Sequence, residues 1–246
     1  MSGTIFTTSW DDGHPMDVKV AELLDRRGFN GTFYVPVRNA EGKPVLSTGD
    51  LAVIDRRFEI GSHTLDHLYL KGVPATLAER QVIEGKNKLE NLLGHGVTGF
   101  AYPGGRYDPA LQRIVSTAGF SYARTIENFR LDCGTDRFLM PTTLQMFPHQ
   151  RSTYLRNLVS RGNFLRRRQL FSRAMRTPQI FALLRETLDL ACQTQGIFHL
   201  WGHSYEIDSY NLWQPLDNFL SYAADRIPPH NRLNNASVLT EKIGLI

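Results

Sequence analysis

Cysteine is scarce in this sequence: only Cys133 and Cys192 occur in 246 residues. Their spacing does not suit a thiolate metal site, and both read as reduced thiols. No apolar run reaches 18 residues, so no segment suggests a transmembrane helix. No basic region followed by an apolar stretch precedes the first strand pattern, Ile5-Phe6-Thr7-Thr8, and the expected location is cytoplasmic. Neither G-x-G-x-x-G nor a P-loop is present, which removes the phosphate turns of nucleotide-binding sheets. The last scarcity is local. Between Arg151 and Arg176 there are eight arginines and no acidic residue, whereas outside that stretch 20 basic residues face 24 acidic ones.

What is present is ordinary for a globular chain, with 41% hydrophobic and 21% charged residues. The length suits one domain over 1–246. Strand-like and helix-like periods alternate. Strands are expected at Thr4–Trp10, Thr32–Val37, Phe58–Gly61, Gly99–Tyr102, Ser121–Ile126, Gly196–Trp201 and Ser237–Leu239. Helices are expected at Met16–Arg27, Leu51–Arg57, Pro74–Leu93, from Asp108 towards Gly119, at Pro178–Thr194 and at Asp217–Arg226. A basic helical insertion is expected over about 145–177, where the alternation is lost. Repeated strand–loop–helix units imply parallel strands covered by helices. A barrel is the expected form, because every polar motif follows a strand, where barrel active sites collect.

Asp11 and Asp12 end the first strand. Adjacent carboxylates repel unless a cation or proton separates their roles, so one can ligate a metal while the other acts as base. His63 and His67 end the third strand, four residues apart, and one helical turn would put both imidazoles on one side. Two histidines and a carboxylate make a standard catalytic zinc set. Pro103-Gly104-Gly105 makes a tight turn after the fourth strand, and its lack of bulk lets a backbone N–H approach a reacting carbonyl. His203 ends the late strand, where an imidazole could protonate a leaving amine. His199, inside that strand, reads as a core residue or a support to the site, and Trp201 suits either a sugar platform or core packing.

The order Thr8-Ser9-Trp10-Asp11-Asp12-Gly13, His63-Thr64-Leu65-Asp66-His67, Tyr102-Pro103-Gly104-Gly105 and a strand ending in His203 resembles the polysaccharide deacetylase family. These are the NodB-homology domains of carbohydrate esterase family four. The likeness covers residues 4 to about 205. It implies an α/β fold, a distorted (β/α) barrel that is often seven-stranded, and hydrolysis of N-acetyl groups on aminosugar polymers or of O-acetyl groups on xylan. By position, it implies Asp11 as general base, and Asp12, His63 and His67 as ligands of one divalent metal ion. Zinc is the expected ion, with Co, Ni or Mn as alternatives. It further implies Gly104 as oxyanion donor and His203 as general acid.

Two departures stand out. Ala101 occupies the position of the family's third-motif arginine, which orients the base. No aspartate, Asp132 and Asp136 included, clearly matches the one that tunes the acid histidine. Arg124, at the end of the fifth strand, is expected to supply the missing guanidinium to Asp11. The expected partner is an acylated sugar, anionic if the arginine-rich stretch reaches it, and no nucleic acid is expected. The alternatives are an amidase or deformylase acting on a small amide or on a lipid-linked or phosphorylated sugar, and a non-catalytic carbohydrate-binding relative.

Overall fold

Strand and helix alternate from Ile5 onward because apolar residues recur with period two and then with period 3.6. The computed structural model describes residues 3–244. In chain order the elements are β1 (Ile5–Asp11), α1 (Asp17–Arg26), β2 (Thr32–Val35), α2 (Thr48–Asp55), β3 (Glu59–Ser62), α3 (Ala75–Leu93), β4 (Gly99–Ala101), α4 (Pro109–Thr117) and β5 (Tyr122–Arg124). There follow β6 (Leu144–Gln145), α5 (Arg151–Arg161), α6 (Phe164–Arg176), α7 (Ile180–Thr194), β7 (Ile197–Gly202), α8 (Ser204–Ser209), α9 (Trp213–Ala224), β8 (Arg232–Leu233) and α10 (Asn235–Ile243).

All the strand pairs are parallel, in the order β5-β4-β3-β2-β1-β7-β6, with β8 beside the start of β1. The sheet curls into a distorted barrel. Its edges are joined by an irregular stretch: Met140 donates to the Ala123 carbonyl, Thr125 donates to that of Met140, and Met146 donates to that of Trp201. Every residue of β1 is buried, as a central parallel strand covered on both faces requires. Its outer face carries Phe6, packed against Phe29, Phe198 and Phe219 under the helices. Its inner face carries Ser9, whose hydroxyl meets His199 Nε2 at 2.8 Å, while His199 Nδ1 meets the Pro141 carbonyl at 3.1 Å. His199 is therefore a fully partnered interior residue.

Element ends shift by a few residues from the expected ones, and three of the differences have evident physical reasons. Ser237–Leu239 lies inside α10 rather than in a strand. The Asn234 side chain caps that helix by accepting from Ser237 N, and a run as short as Ser237-Val238-Leu239 does not reveal its period. Helix α2 begins before Leu51 because Ser47 caps it through Asp50 N. Helix α9 starts at Trp213, ahead of Asp217.

Candidate active site

The site begins where strands stop. After β1 the chain reverses through Asp12, whose φ of 77° is unusual for a residue with a side chain. After β3 it leaves through His63, and the expected helical turn does not form. Thr64 (φ 72°) and His67 (φ 57°) are instead left-handed, and these two reversals bring the imidazoles to 5.1 Å between ring centres. The loop lies directly on α3: a Cβ at Gly85 would stand 2.7 Å from the Leu65 nitrogen.

Donor atoms of Asp12, His63 and His67, all buried, lie within 4.8 Å of one another. His63 Nδ1 is 2.8 Å from the Ala101 carbonyl, which can only accept, so Nδ1 carries the proton and Nε2 a lone pair. That lone pair points at Asp12 Oδ1, 3.6 Å away, which His67 Nε2 approaches to 3.0 Å. Lone pair against carboxylate is repulsive without a cation between them. The donor set therefore fits a divalent metal ion, with the His63 ring held from behind through its other nitrogen. Burial opposes ionisation of Asp12, but the two imidazoles beside it and the charge of His203 outweigh it. Its pKa is held far below the usual carboxylate range. The other Asp12 oxygen accepts from the Tyr205 hydroxyl at 3.2 Å.

Asp11 faces a different partner. The Arg124 Nη2 donates directly to Asp11 Oδ1, and Nη1 donates to the Thr125 carbonyl at 3.3 Å. Arg124 is fully buried, its guanidinium 5.0 Å from the Tyr34 ring and 5.4 Å from Trp201. Ala101 and Arg124 are paired in register across β4 and β5. The small side chain on one strand leaves the space that the guanidinium from the next one fills.

His203 stands across the cavity, stacked on Tyr205 at 5.2 Å. Its Nδ1 meets Glu206 Oε2 at 2.7 Å, and the same oxygen accepts from Gln145 Nε2 at 2.8 Å. Gln145 Oε1 in turn meets His149 Nε2 at 2.8 Å. Burial works against a charged His203, but Glu206, with Asp12 and Asp11, more than offsets it and pushes the imidazole up to about 9. Sequence reasoning missed Glu206, Gln145 and Tyr205. The available signal was the His-x-x-Glu spacing at the start of a helix, which puts both side chains on one face.

These residues, with Gly104, Tyr69, Trp201, Ile126 and Lys43, line a cavity of about 240 Å³. A larger groove of about 590 Å³ lies on α6 and α7 among Arg168, Arg173, Arg176 and Glu186. It lacks a convergent donor set, so size is the poorer guide to chemistry here. Gly104 (φ 60°) packs under Tyr69, where a Cβ would come within 2.6 Å of the ring. The arginine-rich stretch forms α5 and α6, and among the described residues none of its arginines lines the small cavity; Lys43 does. Arg167 is buried and holds the two helices to the loop after β5, donating to Asn128 O (2.8 Å), Gly162 O (2.8 Å) and Asn157 O (3.1 Å). Cys133 and Cys192 are both free thiols.

Residues 2–123 match the family model described as polysaccharide deacetylase. YxkH of Bacillus subtilis, assigned to the polysaccharide deacetylases, is 23% identical over 123 residues, which is 50% of this chain and 42% of that protein. The match thus spans less than half of the curated relative's own length. Among solved structures, Puue allantoinase superposes with a TM-score of 0.67 at 13% identity, over 97% of this chain and 90% of that one. A protein of Mycobacterium smegmatis assigned to the polysaccharide deacetylases gives a TM-score of 0.63 at 16% identity, over 91% and 84%. At these identities the structural likeness is one of fold. The chain belongs to the polysaccharide deacetylase family, the NodB-homology domains.

Proposed function

We propose that the chain is a metal-dependent deacetylase that hydrolyses an N-acyl group, acetyl first, from an aminosugar-containing oligo- or polysaccharide. The observation that carries this reading is the split between neighbouring carboxylates. Asp12 meets two imidazoles, while Asp11 meets Arg124 and stays available as a base. A divalent ion on Asp12, His63 and His67 would supply Lewis acidity towards the substrate carbonyl and the attacking water.

The protein groups do the rest. Asp11, held by Arg124, takes a proton from the attacking water. The Gly104 N–H is assigned to the developing oxyanion, a contact worth about 3 kcal/mol in other hydrolases. His203, kept protonated by Glu206, gives its proton to the departing nitrogen, which leaves a free amine and a carboxylate. A non-catalytic carbohydrate-binding relative would have no use for a buried arginine dedicated to a second carboxylate.

A second reading, a deacylase of a phosphorylated or lipid-linked sugar, is favoured by Lys43. Its ammonium lies at the cavity and 5.6 Å above the Tyr205 ring. The test is a metal-loaded assay for released acetate or formate on a panel of neutral and phosphorylated acylated sugars. Release of acetate from an N-acetylated sugar is expected. No acyl release from any of them, with metal bound stoichiometrically, overturns the proposal.

A further inference from the structure

Nine large apolar side chains stand exposed among the described residues, and four of them share the α5–α6 hairpin. They are Leu155 (51% exposed), Val159 (64%), Phe164 (51%) and Leu165 (80%). Leu155 and Val159 are one turn apart on α5, while Phe164 and Leu165 open α6 just past the connection at Gly162 and Asn163. Concentration in one short hairpin sets them apart from the single exposed apolar residues that any surface carries. Arg151, Arg156, Arg166, Arg168 and Arg176 are exposed along the same two helices, and no carboxylate lies anywhere from Arg151 to Arg176.

The hairpin is also braced from behind. Tyr154, Arg167, Leu170 and Ala174 are buried, and Arg167, on α6, bonds backbone carbonyls of Asn157 in α5, of Gly162 in the connection and of Asn128. Asn163 Nδ2 donates to Glu127 Oε1 at 2.8 Å, one residue from Ile126, which lines the active-site cavity. The exposed tip and the mouth of the site therefore share one rim of the barrel.

We propose that the α5–α6 hairpin seats this protein on an anionic lipid surface. The four apolar side chains enter the interfacial layer, and the arginines meet headgroup phosphates. Basic amphipathic helices bind membranes through that combination of apolar burial and attraction to acidic lipid. Charge argues against a second copy of the same face as the occupant, because two acid-free arginine surfaces repel. Nucleic acid would engage the arginines but gives no role to an aliphatic tip. Seated this way, the cavity mouth meets acylated sugars carried on lipid. That extension rests on the deacetylase reading, whereas the membrane contact does not.

The experiment is co-sedimentation of the whole chain with vesicles of phosphatidylcholine alone and of phosphatidylcholine mixed with phosphatidylglycerol. Binding to the mixed vesicles only is expected, weakening as salt rises. Phe164→Asp with Leu165→Asp, both at exposed positions, should lower the partition coefficient by about tenfold or more. Arg166→Gln with Arg168→Gln should lower it by about tenfold. No binding to the mixed vesicles, equal binding to both kinds, or binding untouched by the tip variant overturns the proposal. So does self-association, or binding of duplex DNA, that these variants abolish while vesicles are ignored. Failure of the deacetylase reading would show as no acetate release from soluble acetylated sugars, and it would leave the vesicle result unchanged.

Discussion

The two ends of the barrel both bury polar side chains, but they satisfy them differently. At the end where the strands begin, Glu59 accepts from Thr32 Oγ1 at 2.7 Å and from Tyr122 OH at 2.8 Å. Tyr122 also meets Tyr34 OH, which accepts from Asn235 Nδ2 at 2.9 Å, and Asn235 Oδ1 accepts from Thr7 Oγ1 at 2.9 Å. Each donor has an acceptor, and the start of α10 closes that end. Where the strands stop, the His63 lone pair and the Asp12 carboxylate face each other, and the Asp11 carboxylate leans on a single arginine. A closed network stabilises a fold, while convergent, mutually repelling acceptors ask for a ligand.

The largest expected effects come from removing the groups at the open end. His63→Ala and His67→Ala should each abolish stoichiometric metal binding, read by elemental analysis of purified protein. Asp11→Asn should keep the metal and lower kcat by about a thousandfold, because only the proton acceptor is lost. Near-normal turnover in Asp11→Asn would assign the base elsewhere and remove the contrast between the two carboxylates.

Next in size is the guanidinium. Arg124→Ala should lower kcat by about a hundredfold, the loss of one positioned partner to a buried carboxylate, with metal content intact. Since Ala101 is its register partner, Arg124→Ala combined with Ala101→Arg should recover part of the rate. A double variant no better than the single one would mean that Arg124 acts as packing rather than as a partner for Asp11.

A tenfold effect, with a pH signature, is expected at Glu206. His203 is raised to about 9, so the acid it provides is present below that value and lost as pH rises through it. Glu206→Gln removes the foremost contact raising it. The basic limb of the kcat profile should then move down towards the ordinary histidine value of about 6.5. A basic limb that stays near 9 in Glu206→Gln would separate His203 from the step.

The strand ends were legible because their chemistry is local: Asp-Asp after a β pattern and HxxxH after another mark one rim once the strands are parallel. Arg124 was legible for the same reason, since a residue ending a strand points to that rim. The closure of the barrel through Met140–Gln145 was not. It depends on backbone hydrogen bonds from an irregular stretch, and these leave no side-chain period to read. Nor was the meeting of His63 with His67 by two left-handed residues, because a positive φ at the β-branched Thr64 is an outlier that its residue type does not announce. Glu206 escaped for a third reason. The resemblance implies an aspartate, whereas the partner of His203 is a glutamate from the helix that His203 itself opens. The arginine-rich stretch was less legible because it mixes roles, with one buried brace, Arg167, among side chains in solvent.

The smallest effect on turnover is expected at the closed end, and it completes the contrast. Glu59→Ala leaves the Thr32 and Tyr122 hydroxyls without their acceptor, which should cost about 2 kcal/mol of stability. The kcat of the folded fraction should not change, because no member of that network lines the cavity. The same carboxyl carries a pH signature of the opposite kind. Burial raises its pKa, against the hydrogen bonds from Thr32 and Tyr122, so the folded state holds the proton more tightly than the unfolded chain does. Its contribution to stability is therefore fullest below the ordinary value near 4.5 and falls as pH rises through the raised one. Thermal melts of Glu59→Gln, which cannot ionise, should flatten that part of the profile while kcat holds. A loss of turnover in Glu59→Gln without a loss of stability would mean that the two ends of the barrel are coupled, and the division between a structural and a chemical end would fail.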